Sequence, residues 1–309
     1  MLEEGKTLQE LTQESKLNRD LLWAHPFNEL QFWTRVWFYA MKQQQGLRRF
    51  EQSPVLKAIY SKMKNIIDDS GLLASALRAE AEARIESIVK ELPEWREWAS
   101  HVPGVGAFSF GKLLGLIGNP AARNVFSSLA RHCGVAVING QIEKPAKGQR
   151  RPYNAQAKAQ LFLIVSSVLK AYPRVPNLYG EFYYLSRQKF ERKHPDWSDM
   201  HCHLASLLRT ARLFLSHLWE VSRKAQGLPT REPYPIEYGG HVVKIPYTMA
   251  LHPFKRLPEV VEAIEKVMPL LREEPAAEVV EETEELIKRL SQKIVTYMTM
   301  GKKKRRKKE

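Results

Sequence analysis

Apolar residues recur every three to four positions along most of this chain, which predicts a mainly α-helical protein. Leu8, Leu11, Leu17 and Leu21 follow that spacing loosely in residues 1–25, where Thr7 and Glu10 form a candidate capping box. After Pro26, residues 27–50 place Phe27, Leu30, Trp33 or Thr34, Trp37 and Met41 on one face, the pattern of a buried helix. Residues 54–70 and 71–92 read as a helical hairpin. Val55, Ile59, Met63, Ile66 and Ile67 make one inner face; Leu72, Leu73, Leu77, Ala81, Ile85, Ile88 and Val89 make the other. Asp68-Asp69-Ser70-Gly71 is the expected turn, with Gly71 as C-cap, and Pro93 ends the unit.

A helix over 94–101 leads into Pro103-Gly104-Val105-Gly106. A second follows over 107–117, with Phe108, Leu113, Leu114 and Ile117 apolar, and Gly118-Asn119-Pro120 stops it. Residues 121–133 predict another short helix. Val135, Val137 and Ile138 then alternate ahead of Asn139-Gly140, a strong two-residue hairpin signal. Helices are expected over 153–171, over 177–194 with aromatic and basic residues interleaved, and over 196–226. A small β-hairpin near 236–245 would turn at Gly239-Gly240. Amphipathic helices over 259–271 and 278–299 precede the basic tail Lys302 to Glu309, which reads as disordered. The expected organisation is a helical bundle in four parts: 1–92, 93–227, a Pro-rich and amphipathic 228–300, and the tail 301–309.

Charge changes this picture more than composition does. Of 309 residues 44% are hydrophobic, enough for a core, and the formal charge is +14. Residues 101–227 hold 18 Lys/Arg against 6 Asp/Glu, whereas residues 1–100 hold 14 against 15. A basic segment in an otherwise balanced chain is a footprint for polyanions. Two cysteines, Cys133 and Cys202, are too few for a disulfide framework, and no apolar run is long enough to span a membrane. With no signal-peptide pattern at the start, the expectation is a cytoplasmic protein, nucleoid-associated if the host is bacterial or archaeal.

The candidate chemistry centres on residues 103–112. Two glycines spaced by one apolar residue allow a tight reversal, because glycine reaches positive φ cheaply. The chain then enters a helix, so the amides of Gly106, Ala107, Phe108 and Ser109 become first-turn donors. Such donors at a helix N-terminus suit a phosphate, with Val105 in the loop and the Ser109 hydroxyl and Lys112 ammonium as further ligands. Lys144, Lys147, Arg150 and Arg151 would extend the contact along a duplex. An ordinary helix–turn–helix connection is the competing reading. His194, His201, Cys202 and His203 have poor zinc spacing, and His132-Cys133 lacks an orienting third group for nucleophilic catalysis.

The order of these features resembles the C-terminal domain of the IS-one-ten (DEDD) transposase family. Pro103-Gly104-Val105-Gly106 leads to Leu113-Leu114-Gly115-Leu116-Ile117-Gly118-Asn119-Pro120, then Phe126-Ser127-Ser128-Leu129-Ala130, Cys133-Gly134-Val135 and Lys147-Gly148-Gln149-Arg150-Arg151. An Arg-rich helix over 200–221 follows an aromatic one. The resemblance covers about residues 93–227 and implies a helix-hairpin-helix fold that binds DNA. Family members pair a RuvC-like acidic, metal-binding domain with a serine nucleophile. Here the segment 129–165 contains no Ser or Thr, and the first 92 residues show no strand-borne carboxylate set.

These readings converge on a sequence-tolerant DNA-binding protein, related to mobile-element transposases and without its own catalysis. An active transposase or site-specific recombinase is the alternative, with Mg²⁺ as cofactor only if it carries a nuclease site. A helical interaction scaffold is a third reading. The expected partner is duplex DNA through its backbone, RNA being the alternative polymer, with no membrane contact; residues 278–299 could join two copies.

Overall fold

The structure is a computed structural model that describes residues 25–52, 57–138, 141, 142, 148, 149, 151–231 and 245–251. Eight α-helices account for most of these residues, as the periodicity predicts. They are α1 Pro26–Gln52, α2 Lys57–Glu91, α3 Pro93–Glu97, α4 Ala107–Ile117, α5 Phe126–His132, α6 Ala155–Ala171, α7 Leu178–Lys193 and α8 Asp199–Ala225. Strands β1 Val137–Ile138 and β2 Gln141–Ile142 pair antiparallel, with Ile138 opposite Gln141, the register that a two-residue Asn-Gly turn predicts. The hairpin near 236–245, the helices at 1–25, 259–271 and 278–299, and the basic tail lie outside the described residues.

The chain divides into two compact units. The first contains the residues up to Lys90 together with Gly111–Gly118; the second contains Glu91–Phe110 and the residues from Asn119 onward. Helix α4 therefore contributes its first four residues to one unit and the rest to the other, a division that the expected boundary at residue 92 did not include.

In the first unit α1 and α2 run antiparallel. Gln44 Nε2 donates to Ser75 Oγ at 2.8 Å, and Trp37 Nε1 donates to Glu82 at 2.8 Å. The inner face of α1 is Phe27, Leu30, Thr34, Trp37 and Ala40, all buried. Two expectations for α2 fail. It is one continuous helix through Asp68-Asp69-Ser70-Gly71, which lies beside the end of α1. A mid-helix glycine costs only about 1 kcal/mol against such packing, and a Cβ there would make an ordinary contact with Leu47 at 3.7 Å. Leu72, Leu73 and Leu77 are exposed rather than inward; Ala74, Ala81, Ile85 and Val89 face the core. Those small and branched residues admit α4. A Cβ on Gly111 would stand 2.6 Å from Val89 Cγ2, and one on Gly115 would stand 2.7 Å from the Leu30 carbonyl oxygen.

In the second unit α8 is the axis. Its buried side includes Leu207, Ala211, Phe214, Leu215, Leu218 and Val221. α7 folds back along it, and Trp98, just after α3, fills the centre with no exposed surface. The Trp98 ring lies 4.9 Å from Phe214 and 6.1 Å from Phe110. His217 Nε2 donates to the Ile245 carbonyl at 2.8 Å, so its Nδ1 accepts from the Tyr179 hydroxyl at 2.7 Å. Arg223, 6% exposed, is held by backbone carbonyls: Nη1 donates to Ala121 and Arg123, and Nε donates to Pro229. It pins the segment after α4 to the end of α8.

Candidate nucleic-acid interface

The reversal between α3 and α4 begins at Val102, which is buried. The Val105 amide donates to the Val102 carbonyl at 3.2 Å, closing a four-residue turn around Pro103 and Gly104. Gly104 has φ +88°, the third-position conformation of a type II turn with proline before it. Its backbone also lies against α6: a Cβ would meet the Ser167 carbonyl oxygen at 2.6 Å and Val168 Cα at 2.8 Å. Gly104 is thus fixed by both conformation and packing.

Gly106 differs. It is not among the glycines with positive φ, so the expectation that both glycines make the reversal is corrected: Gly104 alone does. A Cβ on Gly106 would find nothing within 4 Å, and the residue is exposed. Its carbonyl accepts the first helical bond, from the Phe110 amide at 2.9 Å, which makes it the N-cap of α4. The long helices of the same unit start differently. Asn154 Oδ1 caps α6 by accepting from the amides of Gln156 and Ala157, Asn177 caps α7 and Ser198 caps α8. At α4 the cap has no side chain, and among the described residues no hydrogen bond reaches the amides of Gly106 or Ala107.

The side chains expected to assist are distributed unevenly. Ser109 is tied to α6, since Gln160 Nε2 donates to both its hydroxyl, at 2.8 Å, and its carbonyl, at 2.9 Å. Val105, Ala107 and Phe108 are half-buried. Lys112 belongs to the first unit, where its ammonium stands 4.2 Å from the Trp37 ring centroid and burial lowers its pKa. α4 turns that side chain toward α1. Lys144, Lys147 and Arg150 lie outside the described residues. Arg151 is exposed and precedes α6. Twelve residues of α6 separate Ala155 from Ser167, about 18 Å at 1.5 Å per residue. Ser109, by contrast, meets α6 at Gln160, five residues beyond Ala155. Lys170 and Arg174, both exposed and three and seven residues beyond Ser167, are the cations at the hairpin end of α6. Sequence reading missed them because the packing of Gly104 on Ser167 leaves no local signal.

The two cysteines are buried, and His194, His201 and His203 meet aromatic side chains. Burial pushes the Cys133 thiol up to about 12, which removes the thiolate that nucleophilic chemistry needs. Cys202 is buried. His203 Nδ1 is 2.6 Å from the Tyr183 hydroxyl, and His194 and His201 stack on Trp197. Among the described residues no group of three His, Cys, Asp or Glu side chains could hold a metal ion, and no helix is long and apolar enough to cross a membrane. Comparison of the chain with protein-family models, curated proteins and solved structures yields no match.

Proposed function

We propose that this chain is a sequence-tolerant DNA-binding protein that grips a backbone phosphate at the α3–α4 reversal. The observation that carries the reading is Gly106. Nothing in the fold requires a glycine there, because its Cβ direction is open and its φ is not positive. An Asn, Asp or Ser would stabilise α4 by capping it. The glycine leaves the Gly106 and Ala107 amides uncovered, and two such donors on a helix dipole suit one phosphate oxygen pair. Backbone contact alone carries no sequence information. Lys170 and Arg174 flank that phosphate, while Arg151, with Lys144, Lys147 and Arg150 beside it in sequence, reaches phosphates farther along. The resemblance to the transposase domain agrees with this role. Residues 129–165 hold no Ser or Thr to match the family's serine nucleophile, which favours binding without cleavage.

Gly106→Asp separates this role from the fold. The carboxylate would cap α4 and raise stability by a few tenths of a kcal/mol up to about 1, while repelling a phosphate. Duplex binding should fall at least tenfold as stability rises. Unchanged affinity in Gly106→Asp would refute the grip.

A further inference from the structure

The turn between α7 and α8 holds an aromatic column that the hairpin grip does not use. The Trp197 amide donates to the His194 carbonyl at 3.1 Å, closing a turn through Pro195 and Asp196 that sets the indole over the His194 ring. Those rings are 4.1 Å apart at 7°. Ser198 caps α8 by accepting from the His201 amide, and this first turn brings His201 onto the opposite face of the indole, 4.0 Å away at 5°. Phe190 braces the indole at 5.7 Å. Three parallel rings at about base-stack spacing end on His201, which is exposed and stacks on no second ring among the described residues.

Arg187 engages Glu191 at 2.7 Å and Asp199, while Asp196, exposed in the turn itself, makes no ion pair among the described residues. Arg192 and Lys193, exposed on the last turn of α7, make no ion pair among the described residues; the Arg192 Nε donates only to the Gln188 carbonyl. An exposed flat ring is a surface on which an unpaired base stacks, and Arg192 and Lys193 bring positive charge to the end of α7, next to His194 in sequence. A core role does not explain it, since a column built for packing would not leave its last ring in solvent.

We infer that His194, Trp197 and His201 form a stacking platform for an unpaired nucleobase, with Arg192 and Lys193 holding the adjoining phosphates. The inference rests on the nucleic-acid reading of this chain but adds a single-stranded ligand and a second site. It fits a protein that holds a duplex next to a frayed, bulged or displaced strand.

The test uses the full chain and an oligothymidylate of about ten nucleotides, whose bases form no duplex. The expected result is a change in indole emission on binding that is absent in Trp197→Phe. His201→Ala should weaken binding about fivefold or more, and His201→Phe, which restores a flat face, should recover it. Helix content by circular dichroism should be the same in all three. Binding that ignores His201→Ala, emission unchanged by the oligonucleotide, or no binding at all would overturn the inference. Duplex binding that is lost in Gly106→Asp alongside a silent platform would sink this proposal and leave the hairpin grip standing. A responsive platform with Gly106→Asp binding duplex normally would do the reverse.

Discussion

The carbonyl oxygen of Ser167 occupies the place where a side chain on Gly104 would begin: a Cβ there would stand 2.6 Å from it. That contact ties the reversal to α6 and sets which surface surrounds the uncovered amides of α4.

Substitution at Gly104 therefore acts on the fold. Gly104→Ala meets both a left-handed φ and the α6 backbone, and it should destabilise by about 2 kcal/mol or more. Urea unfolding followed by circular dichroism checks this. A loss below about 0.5 kcal/mol would mean that the turn relaxes away from Ser167.

Gln160 is 4% exposed, and its amide is committed to Ser109. Gln160→Leu would leave the Ser109 hydroxyl and the second lone pair of its carbonyl without a partner. The expected cost is about 1–3 kcal/mol. Ser109→Ala in the same background should recover part of that cost, so a double-mutant cycle should give a coupling of about 1 kcal/mol; additive effects would count against the pairing.

In the first unit the hydroxyl of Thr34 is buried without a hydrogen-bond partner among the described residues, on the face that Gly115 meets. Thr34→Val keeps the shape and removes the stranded oxygen, so it should stabilise by about 1 kcal/mol. Gly115→Ala should destabilise by about 1–3 kcal/mol, because the Leu30 carbonyl cannot swing away as a flexible side chain can. Paired denaturation curves decide both; a destabilising Thr34→Val would show that the hydroxyl has a partner.

Alkali should weaken the fold before it damages the chain. The Cys133 thiol rises from 9.0 to about 12 through burial, and burial also carries the Tyr179 phenol well above 10.0. Both folded pKa values lie above their unfolded ones, so between them the unfolded chain has released protons that the folded chain retains. Stability then falls as pH rises from about 9 toward 12, and it is fully present below about 9. Thermal unfolding across that range checks the direction. Tyr179→Phe should flatten the fall, although it also removes the hydroxyl that His217 accepts from. Cys133 should resist thiol reagents until the protein unfolds.

Periodicity made the helices legible, and turn chemistry made the Pro103-Gly104 turn and the pairing of Ile138 with Gln141 legible, because those signals are local. The inner face of α1 was readable at Phe27, Leu30 and Trp37, but its spacing left Trp33 or Thr34 open and named the half-buried Met41 where Ala40 is buried. What failed was what depends on partners. The polar Asp68 to Gly71 stretch looks like a turn in isolation, yet the helix runs through it. Leu72, Leu73 and Leu77 are apolar yet exposed; farther along α2, α4 seats Gly111 on Ile85 and Val89, while its Gly115 meets Leu30 and Thr34 of α1. Lys112 reads as a phosphate ligand by position and is directed to Trp37 by that same seating. His194 and His201 look like stray metal ligands until Trp197 is seen between them.

The amides themselves give the most direct test. With ¹⁵N-labelled protein, the backbone resonances of Gly106 and Ala107 are followed while a mixed-sequence duplex is added at low salt and again at about 200 mM, where phosphate contacts weaken. The account predicts that these two amides are among the most strongly shifted at low salt, that the shift shrinks at high salt, and that an unrelated duplex of equal length gives the same pattern. A duplex that binds while both amides stay in place would contradict it.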